Sequence, residues 1–359
     1  MTATRYERLE RISGWDSAKV ADARAIVIGC GALGNEVAKN LALVGWGTLI
    51  LVDFDHIEES NLSRSVFFRE ADSGLPKAAV LAGRVMELNP GCRAIGLVGD
   101  VSEVVSEGMV ARSDVVIGCV DNVQARLVLN RLAGKAGRPF LDGGLSAWQG
   151  TASVFCDPAG PCYACGLDAQ DLRELSLRRS CPSYAARVIA RGGVPTTPTI
   201  SSTVGAEIAN LALKWVHGHR TAPSFPLSKQ MRWDQAFNKF WKVDLPRNPD
   251  CYGHPSPIVP NNEPVVSWDQ SWTEILTNCR SRFGAELTVQ LPHPLVVDES
   301  GDGVGVVQVT GNESWLDRTP QSMGLPCWTW LNLDAPEESF VVELQGSPDE
   351  FSLFREVRV

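Results

Sequence analysis

One stretch of forty residues, AIVIGCGALGNEVAKNLALVGWGTLILVDFDHIEESNLSR from Ala25 to Arg64, limits the folds open to this chain. Ala25 to Ile28 are apolar and mostly β-branched, which predicts a short buried strand. Gly29, Gly31 and Gly34 then complete a GxGxxG turn, and Asn35 to Val44 predict a helix. A second apolar run, Thr48 to Val52, ends at Asp53, nineteen residues past the last glycine. This is the spacing of a nucleotide-binding βαβ unit. The glycines let the backbone approach a phosphate, the helix N-terminus faces it with unpaired N–H groups, and the acidic residue holds the ribose. The fold class that follows is α/β, a Rossmann-like doubly wound sheet.

Such a unit by itself points first to an NAD(P)-dependent oxidoreductase, and the residues after Asp53 change that reading. Ser60-Asn61-Leu62-Ser63-Arg64 brings an amide and a guanidinium near the crevice, and Lys77 adds a second cation after Gly74-Leu75-Pro76. A dinucleotide site needs few cations beyond the helix dipole. A triphosphate being cleaved needs several, because charge develops on the leaving pyrophosphate. Lys77 to Leu88 predicts a helix stopped by Asn89-Pro90. Val115 to Val120 predicts another buried strand, ending in Asp121-Asn122 where open α/β sheets bind ligands. An Asp or Asn there also serves as N-cap for a helix over Val123 to Leu132. Phe140 to Gly144 reads as a further strand end followed by glycines.

The ordered series of GxGxxG, Asp53-Phe54-Asp55, Asn61-Leu62-Ser63-Arg64, Lys77 and Val120-Asp121-Asn122 resembles the ThiF/MoeB/HesA superfamily of ubiquitin-activating enzyme-like adenylyltransferases. The resemblance covers roughly residues 5–254. It implies ATP as substrate, with Gly29, Gly31 and Gly34 at phosphate, Asp53 at the ribose, and Asn61, Arg64 and Lys77 stabilising phosphate charge. It implies that Asp121 holds magnesium. Arg5-Tyr6-Glu7-Arg8 reads locally as a solvated helix start. By resemblance, Arg8 crosses a homodimer into the partner's ATP site, although Leu9 stands where the family has Gln. The space beyond Asp142-Gly143-Gly144 is expected to admit the extended Gly-Gly tail of a ubiquitin-like or sulfur-carrier protein.

Cys162-Tyr163-Ala164-Cys165 and Cys251-Tyr252-Gly253-His254 are two knuckles with x2 spacing. Three thiolates and one imidazole can surround zinc tetrahedrally and leave no open position, which predicts a structural site. The superfamily usually has two CxxC pairs, so His254 is a departure. Between the knuckles, Cys181 follows Arg178 and Arg179 in a polar segment, and nearby cations favour the thiolate. In the superfamily a cysteine at about this point, before a long helix (here Ser202 to Val216), forms a thioester with the carrier or a sulfur-linked adduct. Cys30, Cys119 and Cys156 sit in or beside apolar strands and read as core.

At 359 residues the chain exceeds one ordinary domain. The expected organisation is residues 1–254 as the adenylation domain, 255–265 as a proline-rich linker and 266–359 as a small α+β module. In that last region Trp272, Ile275, Leu276, Cys279 and Phe283 fall at helical spacing, and residues 286–291, 304–309 and 340–344 alternate like strands. Five of the 11 tryptophans lie there, enough for a separate core. A net charge of −9 argues against nucleic acid or an anionic membrane as partner. Dispersed cysteines and a polar N-terminus without a signal-peptide core fit a reduced, cytoplasmic protein.

The expected chemistry is ATP-dependent adenylation of a carrier's C-terminal glycine, followed by thioester transfer to Cys181 and handover to a conjugating enzyme. The alternative stops at the adenylate and passes it to a sulfur donor. A nicotinamide oxidoreductase and a non-catalytic carrier-binding scaffold are the readings from other classes.

Overall fold

The computed structural model describes residues 5–167, 195–222, 225–251, 253–254, 256–291, 308–336 and 338–346. The chain forms two compact units. The first comprises Met1–Gly99, Ser113–Gly134 and Arg138–Ser256; the second comprises Asp100–Arg112, Lys135–Gly137 and Pro257–Val359.

The first unit is built on an eight-stranded sheet in the order β3-β2-β1-β4-β5-β6-β7-β8. Its strands are β1 (Arg24–Ile28), β2 (Thr48–Asp53), β3 (Arg93–Val98), β4 (Val115–Gly118), β5 (Phe140–Ser146), β6 (Gln149–Phe155), β7 (Lys229–Asp234) and β8 (Lys239–Asp244). β3 through β5 pair in parallel, and β6, β7 and β8 extend that sheet antiparallel. The parallel part needs crossovers covering both faces, which explains why β1, β2 and β4 are nearly continuous apolar runs. Two short helices, α1 (Glu7–Glu10) and α2 (Ser17–Asp22), precede the sheet. The crossovers include α3 (Ala32–Leu43) and α4 (Lys77–Leu88), with α7 (Val123–Lys135) joining β4 to β5. A long helix, α8 (Pro198–Val216), packs on α3, β5 and β6. Its Ile200, Val204, Ile208 and Leu211 join Leu33, Val37 and Leu41 of α3 in one core. Thr197 caps α8 through its hydroxyl, and Pro198 occupies the first turn, where a missing N–H costs nothing.

The second unit takes two short helices from the β3–β4 crossover, α5 (Val101–Val104) and α6 (Glu107–Ala111). Its own sheet runs β11-β10-β12-β13-β9. The strands are β9 (Asn261–Ser267), β10 (Thr288–Gln290), β11 (Gln308–Val309), β12 (Trp330–Asp334) and β13 (Ser339–Gln345). The expected helix is α9 (Trp272–Phe283), started by a reciprocal Ser271–Glu274 capping box. Trp272, Ile275, Leu276 and Cys279 are buried against Val289, Leu331, Leu333, Val342 and Leu344. Phe283 stacks on Phe340 with ring centroids 4.2 Å apart.

Two boundaries differ from the sequence-based expectation. The segment 255–265 is not linker throughout, since β9 begins at Asn261 and pairs in parallel with β13. Residues 100–112, expected within the adenylation domain, belong to the second unit. The reason is a buried polar seam inside that unit. Arg112 makes a bidentate pair with Glu343, at 2.9 and 2.8 Å, and lies 4.5 Å over the Trp328 ring. Trp330 Nε1 donates to the same carboxylate, and the Ser106 hydroxyl donates to the Cys327 carbonyl at 2.6 Å. Both members of the ion pair are about nine-tenths buried, so removing one leaves an uncompensated charge. Arg112→Leu is expected to destabilise the second unit by about 3–5 kcal/mol. Denaturant titration followed by tryptophan fluorescence checks this, and Arg112→Leu paired with Glu343→Leu should recover much of the loss.

Candidate active site and metal centre

The sheet order reverses direction between β1 and β4, and the crevice beyond their C-terminal ends is where ligands bind in open α/β sheets. Three of the sequence-predicted groups sit at strand ends around it, the glycine turn after β1, Asp53 at the end of β2 and Asp121 after β4, while Asp142 lies within β5. The turn is closed by backbone packing. A Cβ at Gly34 would lie 1.9 Å from the Gly29 carbonyl oxygen, and one at Gly29 would lie 2.5 Å from the Cys119 oxygen. Gly29 also has φ of +90°, a conformation glycine adopts without strain. At Gly31, the cap of α3, a Cβ would meet nothing within 4 Å, so the helix N-terminus opens on free space.

Asp53 braces this turn. Its Oδ2 accepts the Cys30 N–H at 2.7 Å and its Oδ1 accepts the Asp55 N–H at 2.8 Å. Burial pushes its carboxyl above the usual range, opposed by those two N–H groups and by the charge of Lys77. Lys77, the first residue of α4, is itself largely buried and pairs with Asp55 at 2.8 Å. Asn61 is buried and accepts the Glu58 N–H at 3.1 Å, fixing the loop after β2. Arg64 is half-buried and donates to the Ser60 carbonyl at 2.6 Å, within its own loop. The helix-cap role near Asp121 falls to Asn122, whose Oδ1 accepts the Ala125 N–H at 2.8 Å; Asp121 is exposed. Arg8 is also exposed, on α1. Cys181 lies outside the described residues.

Two groups at the crevice escaped the sequence reading. Asn35 is fully buried in α3: its Nδ2 donates to the Cys30 and Gly31 carbonyls, and its Oδ1 accepts the Phe67 N–H at 3.0 Å. It therefore ties the glycine turn to the loop carrying Asn61 and Arg64. A polar residue facing the core of a helix whose neighbours are apolar was the signal that could have found it. The second is Arg126, whose Nε donates to Asp142 at 2.9 Å and whose Nη2 donates to the Val120 carbonyl at 2.6 Å. Burial pushes the Asp142 carboxyl up, opposed by that guanidinium. Asp142-Gly143-Gly144 is not a strand end: Gly143 and Gly144 lie inside β5, paired with Ala152 and Thr151 of β6. Cys30 is buried, with its thiol pushed up by burial and the Asp53 charge, and burial pushes Cys156 to about 11. Both thiols are held in the protonated form.

The two knuckles meet in space. One donor atom from each of Cys162, Cys165, Cys251 and His254 lies within 4.8 Å of every other. Cys162 Sγ is 3.9 Å from Cys165 Sγ and 3.8 Å from Cys251 Sγ, and Cys165 Sγ is 3.2 Å from His254 Nε2. Zn–S bonds of about 2.3 Å set a tetrahedral S–S edge of about 3.8 Å, so the donor set fits zinc. Backbone N–H groups of Asn248 and Gly253 donate to Cys165 and Cys251 sulfur, each at 3.3 Å, as suits thiolates. Burial pushes the Cys162 thiol up to about 12. At Cys165 burial acts the same way, but the Asn248 and Cys162 hydrogen bonds outweigh it and lower the thiol. A metal bound here would supply the positive charge that lets three thiolates share this space.

A family model for the ThiF family matches residues 4–253, a span containing the glycine turn, the crevice and all but one of the four metal-type donors. The chain belongs to the ThiF family. The mouse protein named adenylyltransferase and sulfurtransferase MOCS3 is 37% identical over 250 residues, 69% of this chain and 50% of that protein. The Escherichia coli molybdopterin-synthase adenylyltransferase is 29% identical over 251 residues, 69% of this chain and 94% of that protein. This ThiF-family chain spans about half the length of the MOCS3 relatives it matches. Among solved structures, E. coli MccB with ATP shares the fold at a TM-score of 0.56 and 21% identity, over 70% of this chain and 74% of that one.

Freshly reduced protein is expected to contain about one zinc per chain, as a closed four-donor site requires. Cys251→Ser should lower retained zinc well below that figure by elemental analysis, and metal-free wild-type protein would overturn the assignment.

Proposed function

We propose that this protein activates a carboxylate with ATP. The C-terminal glycine of a ubiquitin-like or sulfur-carrier protein ending in Gly-Gly attacks the α-phosphorus through a carboxylate oxygen. A new O–P bond forms, the bond to the bridging oxygen breaks, and pyrophosphate leaves with the electron pair, giving an acyl-adenylate. The observation that carries this reading is the grouping of the glycine turn, Asp53, Lys77 and Asp121 around one sheet crevice, in a chain of the family whose relatives are named adenylyltransferases over the same region.

In this reading the N–H groups of Gly29, Gly31 and Gly34 receive phosphate, and Asp53 uses its remaining lone pairs on the ribose. Asn61, Arg64 and Lys77 stabilise charge as it moves onto the leaving pyrophosphate, Lys77 exchanging Asp55 for phosphate oxygen. Asp121, left exposed by the capping role of Asn122, holds magnesium, which neutralises phosphate charge when bound. The attacking carboxylate is already ionised, so no strong general base is needed, and positioning and charge stabilisation carry the rate. The protein works as a cytoplasmic homodimer in which the exposed Arg8 reaches the partner's crevice.

The second step is transfer of the carrier's acyl group from the adenylate to Cys181 Sγ, releasing AMP and leaving a thioester for a conjugating enzyme. Arg178 and Arg179 beside Cys181 favour the thiolate that this requires. The names of the relatives favour a second version, in which the adenylate goes directly to a sulfur donor.

Carrier-dependent ATP–pyrophosphate exchange tests the first step. Arg64→Ala and Lys77→Ala are each expected to slow it by about 10²–10³-fold, the scale of a lost transition-state donor. Wild-type exchange in both variants would remove their assigned roles, and no exchange with any Gly-Gly carrier would remove the function. For the second step, intact mass under non-reducing conditions should find a carrier adduct on wild-type protein and none on Cys181→Ser. An adduct that survives the substitution, or its absence from wild type, selects the sulfur-donor version.

A further inference from the structure

The two knuckles are 89 residues apart along the chain, measured from Cys162 to Cys251, and neither can hold four donors by itself. One side chain outside both is hydrogen-bonded to each of them. Asn130, in the third turn of α7, is 5% exposed. Its Oδ1 accepts the N–H of Tyr163, inside the first knuckle, at 3.0 Å. Its Nδ2 donates to the carbonyl of Gly253, inside the second, at 2.8 Å. The amide orientation is unique, because an N–H demands an acceptor and a carbonyl demands a donor.

We propose that Asn130 is the positioning residue of the metal centre, the clamp that sets the separation of the CxxC and CxxH knuckles before and during metal binding. This rests on the reading of Cys162, Cys165, Cys251 and His254 as a zinc site. Two further features support it. The knuckles approach so closely at the clamp that a Cβ on Gly253 would lie 2.4 Å from the Ala164 Cβ, so their spacing is tightly defined. Tyr163 is held from its other side as well, its ring packing edge-on against Phe140 and Phe155 and its side chain bonding Arg126 of the same helix. The first knuckle is therefore docked on α7 at two points one turn apart, and Asn130 alone among those contacts also reaches the second knuckle. Partners that orient metal-binding groups typically change metal affinity by about 10–100-fold when lost.

The test is the rate at which an excess of a chromogenic chelator removes zinc from the full-length, folded protein. Asn130→Leu removes both bonds. Asn130→Asp keeps the volume and the acceptor for Tyr163 but sets an oxygen against the Gly253 carbonyl, and it carries the test if the leucine variant does not fold. Leu129→Ala, at a fully buried neighbour on α7 that makes neither of these two hydrogen bonds, serves as the control for general loosening of the helix. The expected result is zinc release about 10–100-fold faster in the Asn130 variants, with Leu129→Ala close to wild type. Cobalt(II)-loaded Asn130→Asp should also show an altered visible absorption spectrum, which general loosening of the helix leaves unchanged. Release at the wild-type rate from both Asn130 variants, or equally fast release from Leu129→Ala, would overturn the proposal. A wild-type protein that holds no zinc would instead sink the metal reading itself.

Discussion

The crevice depends on two backbone segments approaching closer than any side chain allows. Gly34 packs its Cα against the Gly29 carbonyl, and Gly29 against that of Cys119, so the turn after β1 lies directly on the end of β4. Everything placed around the crevice inherits that contact. Asp53 seals the turn from below by accepting the Cys30 N–H, Asn35 ties it sideways to the loop after β2, and Asp121 follows immediately from the strand end it rests on. The buried Asp53 carboxylate and Asn35 amide are both hydrogen-bonded, and leaving such groups partly unsatisfied in this position would cost more than an apolar contact. The free space in front of Gly31 is what the rest of this packing leaves open.

The acidic groups of the crevice illustrate how environment separates similar side chains. Asp53 and Asp142 are both buried, and burial raises both carboxyl groups, yet each is answered differently: Asp53 by two backbone N–H groups and Lys77, Asp142 by Arg126. Asp121, by contrast, is left at the surface of the crevice because the neighbouring Asn122 takes the helix cap. One helix, α7, connects these features to the metal-type cluster. Its start frames the crevice, Arg126 in its first turn bonds both Val120 and Asp142, and Asn130 two turns from the start meets both knuckles.

Much of this was legible in the chain itself. The helices over 77–88 and from 123 and the helical spacing of Trp272 to Cys279 appear where periodicity and punctuation placed them, whereas α3 and the long α8 begin three and four residues before the expected Asn35 and Ser202. The pairing of the two knuckles followed from thiol and imidazole spacing, because few other arrangements of those residues are useful together. Other features were not legible. β6, β7 and β8 carry no pattern that declares which sheet they extend, and β8 is largely exposed. Residues 100–112 join the second unit through contacts with partners more than 200 positions away, Ser106 with Cys327 and Arg112 with Trp328 and Glu343, and no local signal reports such partners.

The division has a physical basis. Short-range steric rules and hydrophobic period act within a turn or two of the chain, so the glycine turn, the strand ends, the caps and the donor types of the metal cluster can be read without coordinates. Burial and hydrogen-bond partnership are properties of segments far apart in sequence. Only the folded chain assigns Asn122 rather than Asp121 to the cap, pairs Lys77 with Asp55, and sets Asn35 and Arg126 as struts of the crevice. It is likewise the fold that singles out Asn130 on α7 and hydrogen-bonds it to both knuckles, a contact that the sequence does not report.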